Sequence, residues 1–480
     1  MCITRINHKK MHYRENAEML QKSKLVLRDG TSLDDLIMRE SNEVSLRVMT
    51  DEELYHLEMD KIFAKTWLLL GHESEIPEPG DFIVRDMAED NVIVARSQDG
   101  AVNVSLNVCP HRGMRVCLGE AGNKRIHQCI YHGWAFRPNG DFIGAPVERE
   151  KMHGNDVDKK TLGLKKAKVH LYGGLIFATW NIDGPSFDEY LGDIKYYMDQ
   201  LFCRTNNGLE LLGPPQRFTL PCNWKVPGEQ SGSDGFHTLT LHRSLMEGGV
   251  MGGTAESIYD QAPGMYGVDV SCKQGHSLRC LEAEKTFKMF ADVPFEGKST
   301  RERLELLPPP GITKEMIPEL FENLTEDQVA QLATIPPQVG GMFPNILIAF
   351  IFAPRTDGGS SGALSLHTYV PKGPDKVEFV NYLFAEKDAP EQMKRDMLQN
   401  SIWNTGTSGV IEQDDADVWP VIMKNARGAV SKDITLKYQA LHGHERPEGW
   451  VGEGLLYPGF TKDDTQWNWW LAYYDLMDAV

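Results

Sequence analysis

Two short stretches, CPHRG at residues 109–113 and CIYHGW at residues 129–134, decide how the first half of this chain folds. Each stretch contains one cysteine and one histidine, spaced C-x-H in the first and C-x-x-H in the second. Two thiolates and two imidazoles can hold a [2Fe–2S] cluster, with the cysteines on one iron and the histidines on the other. The glycines at 113 and 133 allow backbone N–H groups to approach inorganic sulfide. A structural zinc ion accepts the same four ligands and is the alternative interpretation.

The sequence around these stretches has the character of a small all-β module. From about Phe82 to Trp180, short β-like runs alternate with Gly, Pro and Asn turns. Apolar and polar residues alternate over 102–108, a period of two that predicts a strand. We therefore predict a β domain over residues 66–186, preceded by an N-terminal arm and helix over residues 1–65.

At this separation the two stretches resemble the Rieske signature of the ring-hydroxylating oxygenases. The resemblance implies that four residues bind a [2Fe–2S] cluster: Cys109, His111, Cys129 and His132. The paired glycines, together with Tyr131 and Trp134, favour the cluster over zinc. Cys117 and His127 fit neither loop, and we interpret them as packing residues.

A second group of metal-ligand residue types follows the Asn223-Trp224-Lys225 stretch, in the pattern D-x2-H-x4-H. Asp234 and His237 are three residues apart and would share one face of a helix. His237 and His242 are five apart, which on an ideal helix separates them by about 140°. Both can face one metal only if the helix is distorted or broken between residues 238 and 241.

This segment resembles the family's N-W-K … E-N-x-x-G-D-x-Y-H-x4-H pattern. Three positions depart from it, because Gln230, Ser233 and Phe236 stand where the family has Asn, Gly and Tyr. None of the three is an iron ligand in the family. The wall of the substrate pocket is therefore less well defined by the resemblance than the metal site.

The carboxylate that completes such a site should come from the acidic run EQDDAD at 412–417. By resemblance to the family's terminal acidic motif, the ligand is Asp415, with Asp414 as the alternative. The acidic run could also be a solvated turn that binds no metal. The implied Fe(II) ligands are then His237, His242 and Asp415. Two histidines and one carboxylate on one face of iron leave the opposite face open for O2 and substrate.

The resemblance gives Asp234 a different role from the iron carboxylate. In the family this aspartate bridges an iron-ligating histidine and a Rieske histidine of the neighbouring subunit. We therefore expect Asp234 to link His237 to His132 of the next chain, as support for the ligand and as part of an electron path.

Substrate-pocket residues are predicted from their position in the motifs: Gln230, Ser231, Gly235, Thr238 and Ile411. Three residues of a predicted strand are further candidates, with core packing as the alternative: Phe343, Ile346 and Ile348. Most of these side chains are apolar or small, which suits a flat hydrocarbon. Arg279 could instead pair with an aromatic carboxylate, which would indicate a phthalate- or benzoate-type dioxygenase.

The second domain, residues 187–480, is predicted to be an antiparallel sheet covered by helices, so the whole chain is of α+β class. Apolar residues alternate over 364–370 and recur over 377–383, which predicts two strands. Helices are predicted over 312–332, with an internal capping box at Thr325 and Gln328, and over 390–403. A shorter helix with a capping box at Thr50 and Glu53 is predicted for the N-terminal arm.

Composition limits the classes of function. Fifty Lys and Arg against 68 Asp and Glu give a net charge of −18, which disfavours nucleic acid or an anionic membrane as partner. Eight cysteines in 480 residues argue against a disulfide framework. The N-terminus has no apolar segment of signal-peptide type, and the longest apolar run, 346–353, is far short of the roughly 20 residues of a membrane span. We expect a cytoplasmic protein.

Taken together, the resemblance implies the large subunit of a terminal oxygenase that cis-dihydroxylates an aromatic ring with O2. Electrons would come from NAD(P)H through a reductase, with or without a ferredoxin, and the subunits would assemble as α3 or as α3β3 with a small β subunit. A monooxygenase or demethylase of the same architecture is one alternative. A Rieske ferredoxin is another, although it leaves the second group of residues without a use.

Overall fold

A computed structural model of the protein describes residues 21–150, 157–242, 267–288, 295–354, 360–439, 443, 445–446, 449–459 and 462–479. Residues 1–20 of the predicted arm lie outside the described residues. The described chain is a β-rich first part followed by a large antiparallel sheet with helices, which confirms the α+β class. No helix in the described part of the chain is long and apolar enough to cross a membrane.

The N-terminal arm forms small elements that pack on the rest of the chain: α1 (Leu33–Leu36), β1 (Ile37–Met38), β2 (Glu43–Ser45) and α2 (Glu52–Glu58). The predicted capping box of α2 is wrong. Asp51, not Thr50, caps the helix, because its carboxylate accepts the Leu54 N–H at 2.9 Å and is held by Arg47 at 2.7 Å. Glu53 instead accepts the backbone N–H of Arg28.

Between Leu68 and Thr179, the described residues form three small antiparallel sheets. Their strands are β3 (Leu68–His72), β4 (Asp81–Met87), β5 (Asp90–Arg96), β6 (Val102–Leu106), β7 (Ala121–Asn123), β8 (His127–Gln128), β9 (Ala135–Phe136), β10 (Phe142–Gly144), β11 (Lys168–Tyr172) and β12 (Leu175–Thr179). The sheet orders are β6-β5-β4-β7, β10-β9-β8 and β11-β12-β3. The strand predicted from alternation over 102–108 is present as β6.

The four-stranded sheet has two differently packed faces. Phe82, Ile93 and Ala95 belong to a small core that also contains Cys109 and Cys129. The intervening side chains on the other face belong to the largest core of the molecule: Ile83, Met87, Val92, Val94 and Val104. The two loops that carry Cys109 and Cys129 therefore have a core of their own. The sheet beneath them packs with one face on that core and with the other face on the rest of the protein.

The second half of the chain is built on one large antiparallel sheet of order β13-β20-β19-β18-β17-β16-β15-β22, with β14 also paired to β20. Its strands are β13 (Leu209–Leu211), β14 (Gln216–Leu220), β15 (Gly267–Ser271), β16 (Ser277–Leu281), β17 (Pro337–Met342), β18 (Ile346–Pro354), β19 (Ser360–Pro371), β20 (Val377–Glu386) and β22 (Leu455–Pro458). A further strand, β21 (Thr435–Lys437), pairs with β2 of the arm. Both strands predicted from the apolar pattern, β19 and β20, are central.

The described residues of this half also form helices: α3 (Phe187–Leu191), α4 (Lys195–Phe202), α5 (Lys225–Gln230), α6 (Ala283–Lys288), α7 (Thr300–Leu306), α8 (Ile317–Asn323), α9 (Glu326–Thr334), α10 (Glu391–Thr405), α11 (Glu412–Ala426) and α12 (Asp464–Asp478). The single helix predicted over 312–332 is wrong. Leu324 is extended (φ −115°, ψ 158°), so α8 ends there and the capping box of Thr325 and Gln328 starts a new helix, α9. The helix predicted over 390–403 is present as α10, with Pro390 at its N-cap.

One buried ionic contact joins the arm to the iron-site half of the chain. Glu58, at the end of α2, contacts Lys225 Nζ at 2.7 Å, and neither side chain has any exposed surface. The same carboxylate accepts hydrogen bonds from Trp224 Nε1 and Tyr473 Oη at 2.7 and 2.6 Å. Three helices, α2, α5 and α12, are thus tied at one point directly before the second metal-ligand segment.

Two candidate metal centres

The two Cys/His loops have the same backbone conformation. In each, the cysteine N–H donates to the carbonyl of the residue five positions on, at 2.8 Å, and the glycine N–H donates back to the cysteine carbonyl at 2.9 Å. Gly113 and Gly133 have φ of +77° and +73°, which side chains rarely adopt. A Cβ at Gly133 would also lie 2.6 Å from the ring of Pro146. Both loops therefore need a glycine at this position.

The four side chains of these loops form a centre with a buried sulfur end and a more exposed imidazole end. Cys109 and Cys129 are 2% and 1% exposed. Burial raises the pKa of the Cys109 thiol, and the adjacent Cys129 sulfur raises it further. The rings of His111 and His132 lie 4.4 Å apart, and Trp134 stacks on His111.

One group of candidate ligands among the described residues has all its ligand atoms within 4.8 Å of one another, and it includes none of these four side chains. For these four, two thiolates and two imidazoles form the ligand set of a Rieske cluster.

That other group is His237, His242 and Asp415. The Asp415 carboxylate lies 3.8 Å from His237 Nε2 through Oδ1 and 3.6 Å from His242 Nε2 through Oδ2. The predicted break between the histidines is present: α5 ends at Gln230, and His237–Leu239 is a single 3-10 turn. The imidazole rings are 5.1 Å apart and nearly perpendicular, so both Nε2 atoms face the same space.

Asp414 and Asp415 lie in the first turn of α11, where the helix dipole favours negative charge, and not in a solvated turn. Asp415 is turned inwards to the two Nε2 atoms. Asp414 lies on the opposite side of His242, with Oδ2 at 3.2 Å from Nδ1. The structure therefore places Asp415, and not Asp414, on the side where a metal would bind.

Asp234 contacts the outer nitrogen of the other histidine, with Oδ2 at 3.1 Å from His237 Nδ1. Burial raises the pKa of the Asp234 carboxyl. Its hydrogen bonds from His237 and from the backbone N–H groups of Phe236 and His237 outweigh that effect and bring the pKa below its ordinary value. Asp234 is thus an anion beside His237, and the Nε2 of that ring is left with its lone pair for a metal.

The comparisons with known proteins agree with this geometry. Residues 66–165 match the model of the Rieske [2Fe-2S] domain, and residues 187–446 match that of the ring hydroxylating alpha subunit (catalytic domain). The chain belongs to the α subunits of the aromatic ring-hydroxylating dioxygenases. Its cofactors are accordingly a Rieske [2Fe–2S] cluster and a mononuclear non-haem iron, and O2 is the co-substrate.

Individual relatives cover nearly the whole α subunit. The present chain is 33% identical to the benzene 1,2-dioxygenase subunit alpha of Pseudomonas putida, over 89% of this chain and 88% of the relative. It is 31% identical to the N,N-dimethyl phenylurea N-demethylase subunit alpha of Sphingobium sp. (strain YBL2), over 92% and 94%. The crystal structure of naphthalene 1,2-dioxygenase from Rhodococcus sp. bound to indole superposes with a TM-score of 0.80 at 32% identity, over 91% and 94%.

The side chains of the α subunit fit both cofactors. Two histidines and a carboxylate are the ligand set of mononuclear iron enzymes that activate O2, and all three ligand atoms converge here. Two buried thiols opposite two imidazoles match the Rieske ligand set.

The structure gives the local contacts of the predicted pocket residues, whose role in substrate binding stays a prediction. Ser231 is buried, and its hydroxyl donates to the Gly228 carbonyl at 2.5 Å. Thr238 donates to the Gly235 carbonyl at 2.6 Å, and Ile411 is the half-buried residue before α11. Gln230 does face the site, and its amide contacts Asp415.

Phe343, Ile346 and Ile348 pack in hydrophobic cores, which favours the core-packing alternative. All three are at most 3% exposed. Phe343 packs in the core that contains Trp224 and Trp469, and the two isoleucines pack in the core on the other side of the sheet. The alternating pattern of a central strand could not separate a core position from a pocket position.

Arg279 is directed at carboxylates of the α subunit itself. It stands on β16 opposite Asp269 of β15, and its Nη1 lies 3.5 Å from the Asp234 carbonyl. Burial lowers the pKa of the Arg279 guanidinium, and the charges of Asp269 and Asp234 oppose this. Sequence reasoning missed Asp269, which stands in a strand with no motif to mark it.

Proposed function

We propose that this α subunit cis-dihydroxylates a neutral aromatic hydrocarbon, with His237, His242 and Asp415 as iron ligands. The observation that carries the proposal is the convergence of these three ligand atoms within 4.8 Å, in a chain that also holds a Rieske-type centre. When bound, the iron supplies O2 activation and the cluster supplies single electrons.

The residues of the chain would hold and insulate this chemistry. Asp234 and Asp414 each lie against the Nδ1 of one histidine, at 3.1 and 3.2 Å, and so favour the neutral tautomer that carries its proton on Nδ1 and its lone pair on Nε2. His242 and Asp415 are each at most 7% exposed, whereas the His237 side chain is 21% exposed, so the site is buried on the side of Asp415 and open beside His237.

Electrons would cross between chains. Ile130 and Tyr131, beside His132 at the imidazole end of the cluster loops, are 69% and 57% exposed. Phe236, two residues from Asp234, is 46% exposed. Exposed large apolar residues at both ends of the suggested path support a contact between the two ends in an assembly. We place Asp234 against His132 of the next chain in a homotrimer.

The substrate class rests on relatives and on Arg279. The benzene and naphthalene dioxygenase relatives are named for uncharged hydrocarbons. The Arg279 guanidinium lies near Asp269 and Asp234, so a substrate carboxylate would compete with charges already there. An aromatic hydrocarbon, mono- or polycyclic, is therefore favoured over a phthalate- or benzoate-type acid.

Oxidative N-demethylation is the second candidate, because one relative of nearly full length is an N-demethylase subunit alpha. Both reactions would need the same two metal centres. They differ in whether both atoms of O2 enter one product.

The partners would be a small β subunit, giving α3β3, and a reductase that draws electrons from NAD(P)H, with or without a ferredoxin. Relatives named as alpha subunits support a second subunit type. A cytoplasmic location remains our prediction.

Product analysis with labelled O2 tests the proposal. The reconstituted oxygenase should convert benzene, biphenyl or naphthalene to a diol that carries two labelled oxygens, and should leave phthalate and benzoate unchanged. Formaldehyde released from an N-methyl aryl substrate, without diol formation from the hydrocarbons, would establish the second candidate. The His237→Ala variant should keep the visible spectrum of the cluster and lose turnover, whereas retained turnover would disprove the iron site.

A further inference from the structure

Asp234 lies in a short turn between α5 and the 3-10 turn that begins at His237. Its carboxylate is tied to this segment, because Oδ1 accepts the N–H groups of Phe236 and His237 at 2.8 and 3.3 Å. Oδ2 lies 3.1 Å from His237 Nδ1. The direction in which the carboxylate points therefore depends on how the turn itself is held.

Ser233, the residue before Asp234, has a backbone conformation that side chains rarely adopt, with φ of +72°. The family pattern has glycine at this position, where such a φ carries no steric cost. A serine persists there only if its surroundings hold it. Ser233 is 1% exposed, and its hydroxyl lies 3.3 Å from Asp269 Oδ1 and 3.4 Å from the Val339 carbonyl. The turn is thus attached to the large sheet at the residue next to Asp234.

The turn has another attachment one residue earlier. Gln466 of α12 donates from Nε2 to the Gly232 carbonyl at 3.0 Å. Two successive residues, 232 and 233, are therefore held by a helix and by the sheet.

Arg279 makes the attachment to Asp234 itself. It stands on β16, and its Nη1 donates to the Asp234 carbonyl in a long contact of 3.5 Å. The neighbouring strand places Asp269, which has no exposed surface, opposite Arg279 in register. The negative charges of Asp269 and Asp234 both attract the guanidinium. A guanidinium has several N–H donors in a rigid plane, so Arg279 can act on both residues at once.

We infer that Arg279 is a positioning residue for electron transfer, which fixes the backbone of Asp234 so that its carboxylate can reach both His237 and the His132 of the next chain. The inference rests on the proposed bridging role of Asp234. It gives Arg279 a use within the protein in place of the predicted contact with a substrate carboxylate. It also gives Ser233 a reason to stand where the family has glycine, because its hydroxyl helps to hold the same turn.

The test compares Arg279→Met, which removes the charge and the donors, with Arg279→Lys, which keeps the charge. Reoxidation of the reduced cluster, after mixing with substrate and O2, should slow by about tenfold in Arg279→Met and by about threefold or less in Arg279→Lys. KM for the aromatic substrate should stay within about twofold of wild type, with unchanged iron and cluster contents. The control is Arg301→Met, an exposed arginine on α7, which should match the wild type.

Hydrogen exchange gives a readout that does not depend on turnover. In the metal-free protein, the N–H groups of Phe236 and His237 are protected by their bonds to Asp234. They should exchange with deuterium about tenfold faster in Arg279→Met than in the wild type, while exchange in β19 and β20 stays the same. Faster exchange throughout the large sheet would instead show a general loss of stability and would overturn the inference.

A double-variant cycle shows through which residue Arg279 acts. If it acts through Asp234, adding Arg279→Met to Asp234→Asn should slow reoxidation no further. A further loss of about tenfold would overturn the inference. So would a raised KM with normal reoxidation in Arg279→Met, which would favour substrate binding. Loss of iron or cluster from both Arg279→Met and Arg279→Lys would overturn it in favour of a purely structural role.

The Asp234→Asn variant separates this inference from the proposed function. If Asp234→Asn reoxidises its cluster at the wild-type rate, the bridging role itself is wrong. If Asp234→Asn is slow and Arg279→Met is as fast as the wild type, only the role of Arg279 is wrong.

Discussion

Each of the two candidate iron-binding histidines uses its two ring nitrogens differently. The Nδ1 atoms of His237 and His242 face Asp234 and Asp414, and the Nε2 atoms face Asp415. A carboxylate behind each ring fixes the tautomer and orients the lone pair. The two outer carboxylates are equally exposed, at 28% each.

The variant Asp234→Asn should separate metal binding from electron transfer. The amide keeps the size of the side chain but loses its charge, so cluster and iron should both be retained. Turnover should fall by about 100-fold, because the charged link to His237 is lost. Stopped-flow measurement of cluster reoxidation, after mixing reduced protein with substrate and O2, should show the same loss. Reoxidation at the wild-type rate would contradict the bridging role.

At the scale of residues, the sequence indicated ligand types but not all of their partners. Local spacing marked His237 and His242, and the adjacent acidic pair offered both Asp414 and Asp415. Only the three-dimensional arrangement shows that Asp414 contacts His242 at Nδ1, whereas Asp415 lies on the Nε2 side, where a metal would bind. Gln230 and Asp415 are 185 residues apart, and no local pattern could join them.

At the scale of elements, the buried pair of Glu58 and Lys225 ties α2 to α5. Removing one partner leaves an unpaired buried charge, so Lys225→Met should lower the free energy of unfolding by about 3–5 kcal/mol. The double variant Glu58→Leu/Lys225→Met should recover most of this loss, because no charge is then buried alone. Denaturant unfolding followed by tryptophan fluorescence measures both. Equal losses in the single and double variants would show that packing, not charge, dominates there.

The turn between β15 and β16 contains a histidine that must remain neutral. His276 accepts the Phe343 N–H at Nδ1, at 2.9 Å, and its Nε2 lies 2.6 Å from the Tyr190 carbonyl. Complete burial lowers the pKa of His276 from 6.5 to about 4. Between these two pH values the unfolded chain binds a proton that the folded chain refuses, so stability falls as the pH is lowered from 6.5 to 4.

The contribution of His276 to this acid sensitivity should reach about 3 kcal/mol at pH 4. The variant His276→Asn should be less stable at pH 7. Because it lacks the titrating imidazole, its unfolding should take up about one proton less between pH 4 and pH 6.5. Unfolding midpoints measured from pH 4 to pH 7 test this, with the exposed His56→Asn as control. An unchanged slope in His276→Asn would mean that other groups cause the acid sensitivity.

The elements predicted correctly from the sequence are those whose pattern is local. Alternation gave β6 and β19, whose side chains pack on both faces of a sheet. The helix predicted over 312–332 was wrong because apolar spacing continues across the extended Leu324, and only the capping box at Thr325 marked the new start. Asp51 was missed as a cap because Thr50 fits the same motif one residue earlier.

At the scale of the whole molecule, the proposed electron path requires two chains. Co-assembly of His111→Ala chains, which lack a complete cluster site, with His237→Ala chains, which lack a complete iron site, tests this. In a trimer that contains both kinds of chain, one site in three pairs an intact cluster with an intact neighbouring iron, so the activity of purified mixed trimers should return to about a third of wild type. Two affinity tags allow mixed trimers to be purified, and inactive mixed trimers would show that electrons stay within one chain.

The two-faced sheet of β4, β5, β6 and β7 also determines how these enzymes can be recombined. One face of β5 packs under the cluster loops, while Val92 and Val94 on the other face pack in the largest core. A chimera joined at residues 66 and 186 would therefore cut through a shared hydrophobic interior and would have to match it side chain by side chain. A graft limited to the loops after β6 and before β11 would carry the cluster ligands and leave that interior intact.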